Sequence, residues 1–108
     1  MQKKNNQMKI LNKEILEKFV KNNAASSSAV NKWIEQIESS EFSNPNELKS
    51  SFSGVDYIGK SRWVFNIKGN DYRLVAIVIF AFGSLTVCFI GTHAEYDKID
   101  CLTVFQKK

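Results

Sequence analysis

The chain has 108 residues and a mass of 12.3 kDa, which predicts a single domain over 1–108. With 44% hydrophobic and 24% charged residues it has ordinary globular composition, which excludes disorder over most of its length. Fifteen Lys and Arg against eleven Asp and Glu give +4 and a pI near 9.1, an excess that favours anionic partners. The longest apolar stretch, Leu74 to Phe82, falls short of the roughly 20 residues of a membrane-spanning helix. The basic N-terminus, MQKKNNQMKI, lacks the apolar core of a signal peptide, so the expected location is the cytoplasm. Cys88 and Cys101 fit neither a zinc pattern nor a CxxC pair and read as reduced thiols; no metal or cofactor is expected.

Charge is unevenly spread. Residues 1–32 hold seven Lys against Glu14 and Glu17; residues 33–56 hold Glu35, Glu38, Glu41, Glu47 and Asp56 against Lys49; residues 57–108 are again net basic. Residues 1–7 are a basic end that is a candidate for disorder. Met8 to Leu11 reads as a short strand, and Asn12 as the N-cap of a helix with Ile15, Leu16, Phe19 and Val20 on one face, ending near Asn22 or Asn23. The run Ser26 to Ser28 offers a second N-cap, after which Val30, Trp33, Ile34 and Ile37 recur at the spacing of an amphipathic helix. Asn44, Pro45 and Glu47 read as N-cap, N1 and N3 of a third helix that buries Leu48 and Phe52.

After Gly54 the period changes. Arg62 to Ile67 is aromatic and β-branched, Lys68-Gly69-Asn70 supplies a turn, and Asp71 to Phe80 resumes an apolar strand. A second turn at Ala81 to Ser84 leads into Leu85 to Ile90. Helices first and strands later predict an α+β fold with N-terminal helices packed on an antiparallel sheet.

Alternation in the first of these strands places Arg62, Val64, Asn66 and Lys68 on one face and Trp63, Phe65 and Ile67 on the other, with one face core and the other wet. With Arg73 from the next strand, the wet face makes a phosphate-binding patch; the competing reading is a solvated sheet surface. His93 and Tyr96, three apart in HAEYDK, are competent for proton transfer, against a reading as a helix cap and a surface histidine. Asp97 and Asp100 read as solvated charges in preference to metal ligands. Trp63, Phe65, Tyr72, Phe80, Phe82 and Phe89 suggest a base-stacking platform or, more simply, core. P-loop, GxGxxG, HExxH and GxSxG motifs do not occur.

Two segments carry a resemblance. RWVFNIKGNDYRL (62–74) and FIGTHAEYDKID (89–100) closely resemble HigB-type toxins of bacterial toxin–antitoxin modules, in the RelE superfamily, and a looser likeness extends over the N-terminal helices. The resemblance implies a compact RelE-like domain and a metal-independent mRNA interferase that cleaves translated messages on the ribosome. It also implies a cognate helix-turn-helix antitoxin. By position, Arg73, His93 and Tyr96 match the family's catalytic motifs, and Arg62, Asn66, Lys68, Asn70 and Lys98 are the candidate RNA- or phosphate-binding residues. Which of His93 and Tyr96 is the base stays open. Where relatives often carry arginine before the FIGTH run, this chain has Cys88. That departure supports an alternative, a weakened relative acting as a non-enzymatic antitoxin-, RNA- or ribosome-binding module. A metal-dependent nuclease is a third reading.

Overall fold

The computed structural model describes residues 7–106, so the basic end expected over 1–7 lies, except for Gln7, outside the described residues. Strand β1 (Lys9–Leu11) leads into helix α1 (Lys13–Asn22), which turns its apolar stripe, Ile15, Leu16 and Phe19, inward. Asn12 is in the left-handed region (φ 65°) and makes no side-chain cap; its amide instead donates to the Val87 carbonyl at 3.4 Å. A 3-10 turn (Ala24–Ser26) joins α1 to α2 (Ser27–Glu38), which buries Val30, Trp33 and Ile37. Ser26 also caps nothing ahead of it, since its hydroxyl donates back to the Asn23 carbonyl at 2.7 Å. Helix α3 (Pro45–Ser51) starts as its sequence predicts: Glu47 N donates to Asn44 Oδ1 at 3.0 Å, and Pro45 occupies the first turn. The Glu47 carboxylate goes to the backbone and hydroxyl of Ser43, one residue before the cap.

Five strands follow the order β1-β5-β4-β3-β2; β2 (Asp56–Gly59), β3 (Arg62–Ile67), β4 (Tyr72–Ile79) and β5 (Ser84–Thr92) pair antiparallel with one another in succession, and β1 runs parallel to β5. The sheet is therefore mixed: β2 to β5 form the expected antiparallel sheet, and β1 adds a parallel strand at its edge. Strand β2 escapes sequence reading because its turn into β3 uses Lys60 and Ser61, with φ of 52° and 62°, in place of the Asn-Gly that usually marks such a turn.

One face of the sheet carries the main core, where α1, α2 and α3 pack on Trp63, Phe65, Leu74 and Leu85. Trp33 meets Phe65 edge-on at 5.3 Å. The other face is not wet. Residues 97–106 fold back across it, laying Ile99, Cys101 and Val104 on Val64, Val75, Cys88 and Phe89. Gln106 fixes the end of this segment to the margin of β5, its N–H donating to Cys88 O at 2.7 Å and its side-chain oxygen accepting from Ile90 N at 3.0 Å. Of the imagined aromatic platform, Trp63, Phe65 and Phe89 are buried, while Phe82 is 82% exposed.

Candidate functional site

The second sheet face continues past this small core toward the β3–β4 hairpin. Asn66 and Arg73 are direct cross-strand partners, and Gly91 of β5 lies beside Arg73. Their neighbours Phe65, Leu74 and Ile90 point into the main core, so alternation turns Asn66 and Arg73 to the opposite face. Arg73 is half-buried, and its Nη1 is shielded from water with no hydrogen-bond partner. A buried N–H of a cation left unpaired is costly, and an anion is the natural partner for it.

Helix α4 (His93–Tyr96) begins as β5 ends. Thr92 and Glu95 form a reciprocal capping box: Glu95 N donates to Thr92 Oγ1 at 3.1 Å, and Thr92 N donates to Glu95 Oε1 at 2.8 Å. The Thr and Glu of THAEY thus build the turn that carries His93 and Tyr96. Gly91 permits the turn, because a Cβ there would stand 2.6 Å from the Phe89 ring and 2.9 Å from Glu95 Oε1.

Tyr96 leans on the Phe89 ring, with centroids 6.5 Å apart. Burial pushes its phenol above the ordinary value, and a hydrogen bond shared with the Cys101 thiol, the thiol's own charge and the Asp56 carboxylate push the same way; the Arg73 guanidinium opposes them. The hydroxyl, protonated at neutral pH as any phenol is, therefore keeps its proton further into the alkaline range, within the field of Arg73. His93 is exposed, its Nε2 3.8 Å from Asp97 Oδ1.

The structure pairs Asn66 with Arg73 across β3 and β4 and sets Tyr96 within reach of the Arg73 charge. It leaves Lys68 and Asn70 exposed at the hairpin tip, with Lys68 Nζ 4.0 Å from Asp71, and it leaves Lys98 exposed just after α4. Asn66 donates to Gly54 O at 3.5 Å. Arg62 departs from expectation: it is buried, and its Nη1 donates to Cys101 O at 3.1 Å and to Val104 O at 2.7 Å. It does not join an open patch, because the C-terminal segment covers the face on which alternation places it. Cys88 is fully buried in the same small core, where burial raises its thiol pKa and Arg62 lowers it. Sequence reading missed Asp56 and Cys101, whose place beside Tyr96 depends on pairings and turns with no local motif.

Among the described residues, no group of His, Cys, Asp and Glu is arranged to hold a metal ion, and no helix is long and apolar enough to cross a membrane. A cleft of about 260 Å³ beside Pro45, Tyr57, Trp63 and Phe80 lies on the helix-bearing side of the sheet and contains none of the candidate residues.

The chain is 29% identical over 94 residues to the mRNA interferase HigB of Escherichia coli O6:H1, covering 85% of this chain and 91% of that protein. It is 39% identical over 59 residues to the mRNA interferase toxin HigB of Escherichia coli strain K12 and to the mRNA interferase HigB of Shigella flexneri, matches that cover 52% of this chain and 56% of each relative. The family model of the HigB toxins, described as the RelE-like toxic component of a toxin–antitoxin system, matches residues 26–99, which include β2 to β5, α4, Asn66, Arg73, His93 and Tyr96. The chain therefore belongs to the HigB toxin family.

Proposed function

We propose that this chain is an endoribonuclease, an mRNA interferase that halts translation and is neutralised by an antitoxin, and that it cuts RNA at the sheet face around Arg73 and Tyr96 without a metal. Family membership supports the toxin and its antitoxin partner. A helix-turn-helix antitoxin and action on the ribosome belong to the same reading. The observation that carries the site is the shielded, partnerless Nη1 of Arg73, whose charge reaches the Tyr96 phenol.

The chemistry that fits is attack of a ribose 2′-OH on the adjacent phosphorus. A new O–P bond forms and the 5′ O–P bond breaks, leaving a cyclic phosphate and a free 5′-hydroxyl. Arg73 donates to a non-bridging oxygen as charge builds in the transition state. Tyr96, protonated, suits the acid that gives a proton to the leaving 5′ oxygen, and the exposed imidazole of His93 suits the base that takes the 2′ proton. Asn66 lies beside Arg73, and Lys68, Asn70 and Lys98 offer polar and cationic contacts to flanking phosphates and sugars.

Loss of one preorganised donor typically lowers turnover by about 100- to 1000-fold. Arg73→Ala is expected to abolish growth arrest on induced expression without antitoxin, together with new 5′ ends inside translated reading frames. A folded Arg73→Ala protein that still arrests growth and cuts would overturn the site. Normal growth and no new ends from folded wild-type protein would favour a non-enzymatic binding module.

A further inference from the structure

The chain contains two arginines, and the proposed phosphate site uses only Arg73. Arg62, 7% exposed, spends its Nη1 on two backbone carbonyls, Cys101 at 3.1 Å and Val104 at 2.7 Å. A planar guanidinium can bridge two acceptors in a fixed geometry, which a lysine ammonium does less well. Both carbonyls belong to the turn that follows α4. That turn is held internally by Val104 N to Asp100 O at 2.9 Å and by Leu102 N to Asp100 Oδ1 at 3.0 Å, and it is tied to the helix by Ile99 N to Tyr96 O at 3.3 Å.

Helix α4 has four residues, too few to fix a side chain by helical structure alone. What seats Tyr96 is the small core it shares with Ile99, Cys101 and Val104. Arg62 lies beneath this arrangement and binds the backbone of Cys101 itself.

We propose that Arg62 is a positioning residue for RNA cleavage: by clamping the Cys101 and Val104 carbonyls it seats the turn after α4 on the sheet and so sets the Tyr96 hydroxyl beside Arg73. The inference rests on the role given to Tyr96 above.

The test uses the full chain with Arg62→Met, which keeps bulk and removes the cation, and Arg62→Lys, which keeps charge and loses the planar guanidinium with its fixed N–H directions. Thermal melting reports folding, single-turnover cleavage of an mRNA programmed on ribosomes gives rate and half-saturation separately, and ¹³C NMR of the tyrosine ζ-carbon follows Tyr96 titration. Small displacements of a catalytic group cost up to about 100-fold, so folded Arg62→Met should cleave about 10- to 100-fold more slowly at saturating RNA with half-saturation unchanged. Its Tyr96 should titrate closer to free tyrosine, with Arg62→Lys falling between it and wild type. A folded Arg62→Met protein with wild-type rate and Tyr96 titration overturns the proposal. If Arg62→Met does not fold, Cys101→Ala tests the same link from the other side: the carbonyl clamp stays, the thiol goes, and an unmoved Tyr96 titration overturns the proposal. If the wild-type chain cleaves no mRNA on translating ribosomes, the endoribonuclease reading fails, while the Tyr96 titration still decides the clamp.

Discussion

Cys88 lies at an irregularity of β5, where Phe89 pairs with Val75 and Val87 pairs with Ala76, so that one residue has no opposite number. The bulge turns Cys88 and Phe89 to the same face, and both pack in the small core under Ile99, Cys101 and Val104. An arginine introduced there would be a second buried guanidinium near Arg62, with no carboxylate given to either of them among the described ion pairs. An uncompensated buried charge costs about 3–5 kcal/mol. Cys88→Arg is therefore expected to lower the urea midpoint substantially and to leave cleavage per folded molecule no higher; an unchanged midpoint would show that the core opens readily. The same residues show how far sequence reading reached. Arg73, His93 and Tyr96 can be named as candidates from sequence because they lie in two contiguous motifs. Arg62 was legible as a residue on the second face, but its burial was not, because the acceptors come from 39 and 42 residues further along the chain. Asp56 and Cys101 were invisible for the same reason: nothing local marks a residue that acts on Tyr96 through tertiary packing.

Between β5 and the C-terminal turn, α4 owes its existence to its cap. The apolar spacing that makes α1 and α2 legible has no counterpart in a four-residue helix with no buried residue. The Thr92–Glu95 box supplies the stabilisation instead, and it does so within the motif that carries the proposed proton-transfer groups. Removing a Ser or Thr N-cap typically costs about 1 kcal/mol. Thr92→Ala is expected to cost about that in chemical denaturation and to slow cleavage by more than the population of unfolded protein explains, because His93 and Tyr96 lose their common anchor. Wild-type turnover in Thr92→Ala would mean that the turn after α4 alone holds both groups. Elements also separate what was readable from what was not. α3 announces itself through Asn44-Pro45 and a strong cap. β2 and the parallel placement of β1 depend on a Lys-Ser turn and on the return of the chain after three helices, neither of which leaves a periodic trace.

On the scale of the whole molecule, the sheet is covered on both sides, and the thinner cover is also the side that bears the proposed chemistry. That cover encloses two weak acids, Cys88 and Tyr96, whose pKa values are both raised chiefly by burial. In the unfolded chain they titrate at ordinary values of about 9.0 and 10.0. In the fold they release their protons later. Over the interval between, the unfolded state has lost protons that the native state retains, so the free energy of unfolding falls as pH rises. The contribution is fully present below the unfolded values and disappears as pH climbs through the folded ones. The melting temperature, measured under reducing conditions, should thus decline from about pH 9 upward through this linkage. Cys88→Ala should melt lower at neutral pH, because it leaves a cavity, yet decline less steeply in the alkaline range, because one of the two late-titrating groups is gone. An alkaline slope identical to wild type would show that the Cys88 thiol meets water in the native state and that the turn after α4 does not seal this face of the sheet.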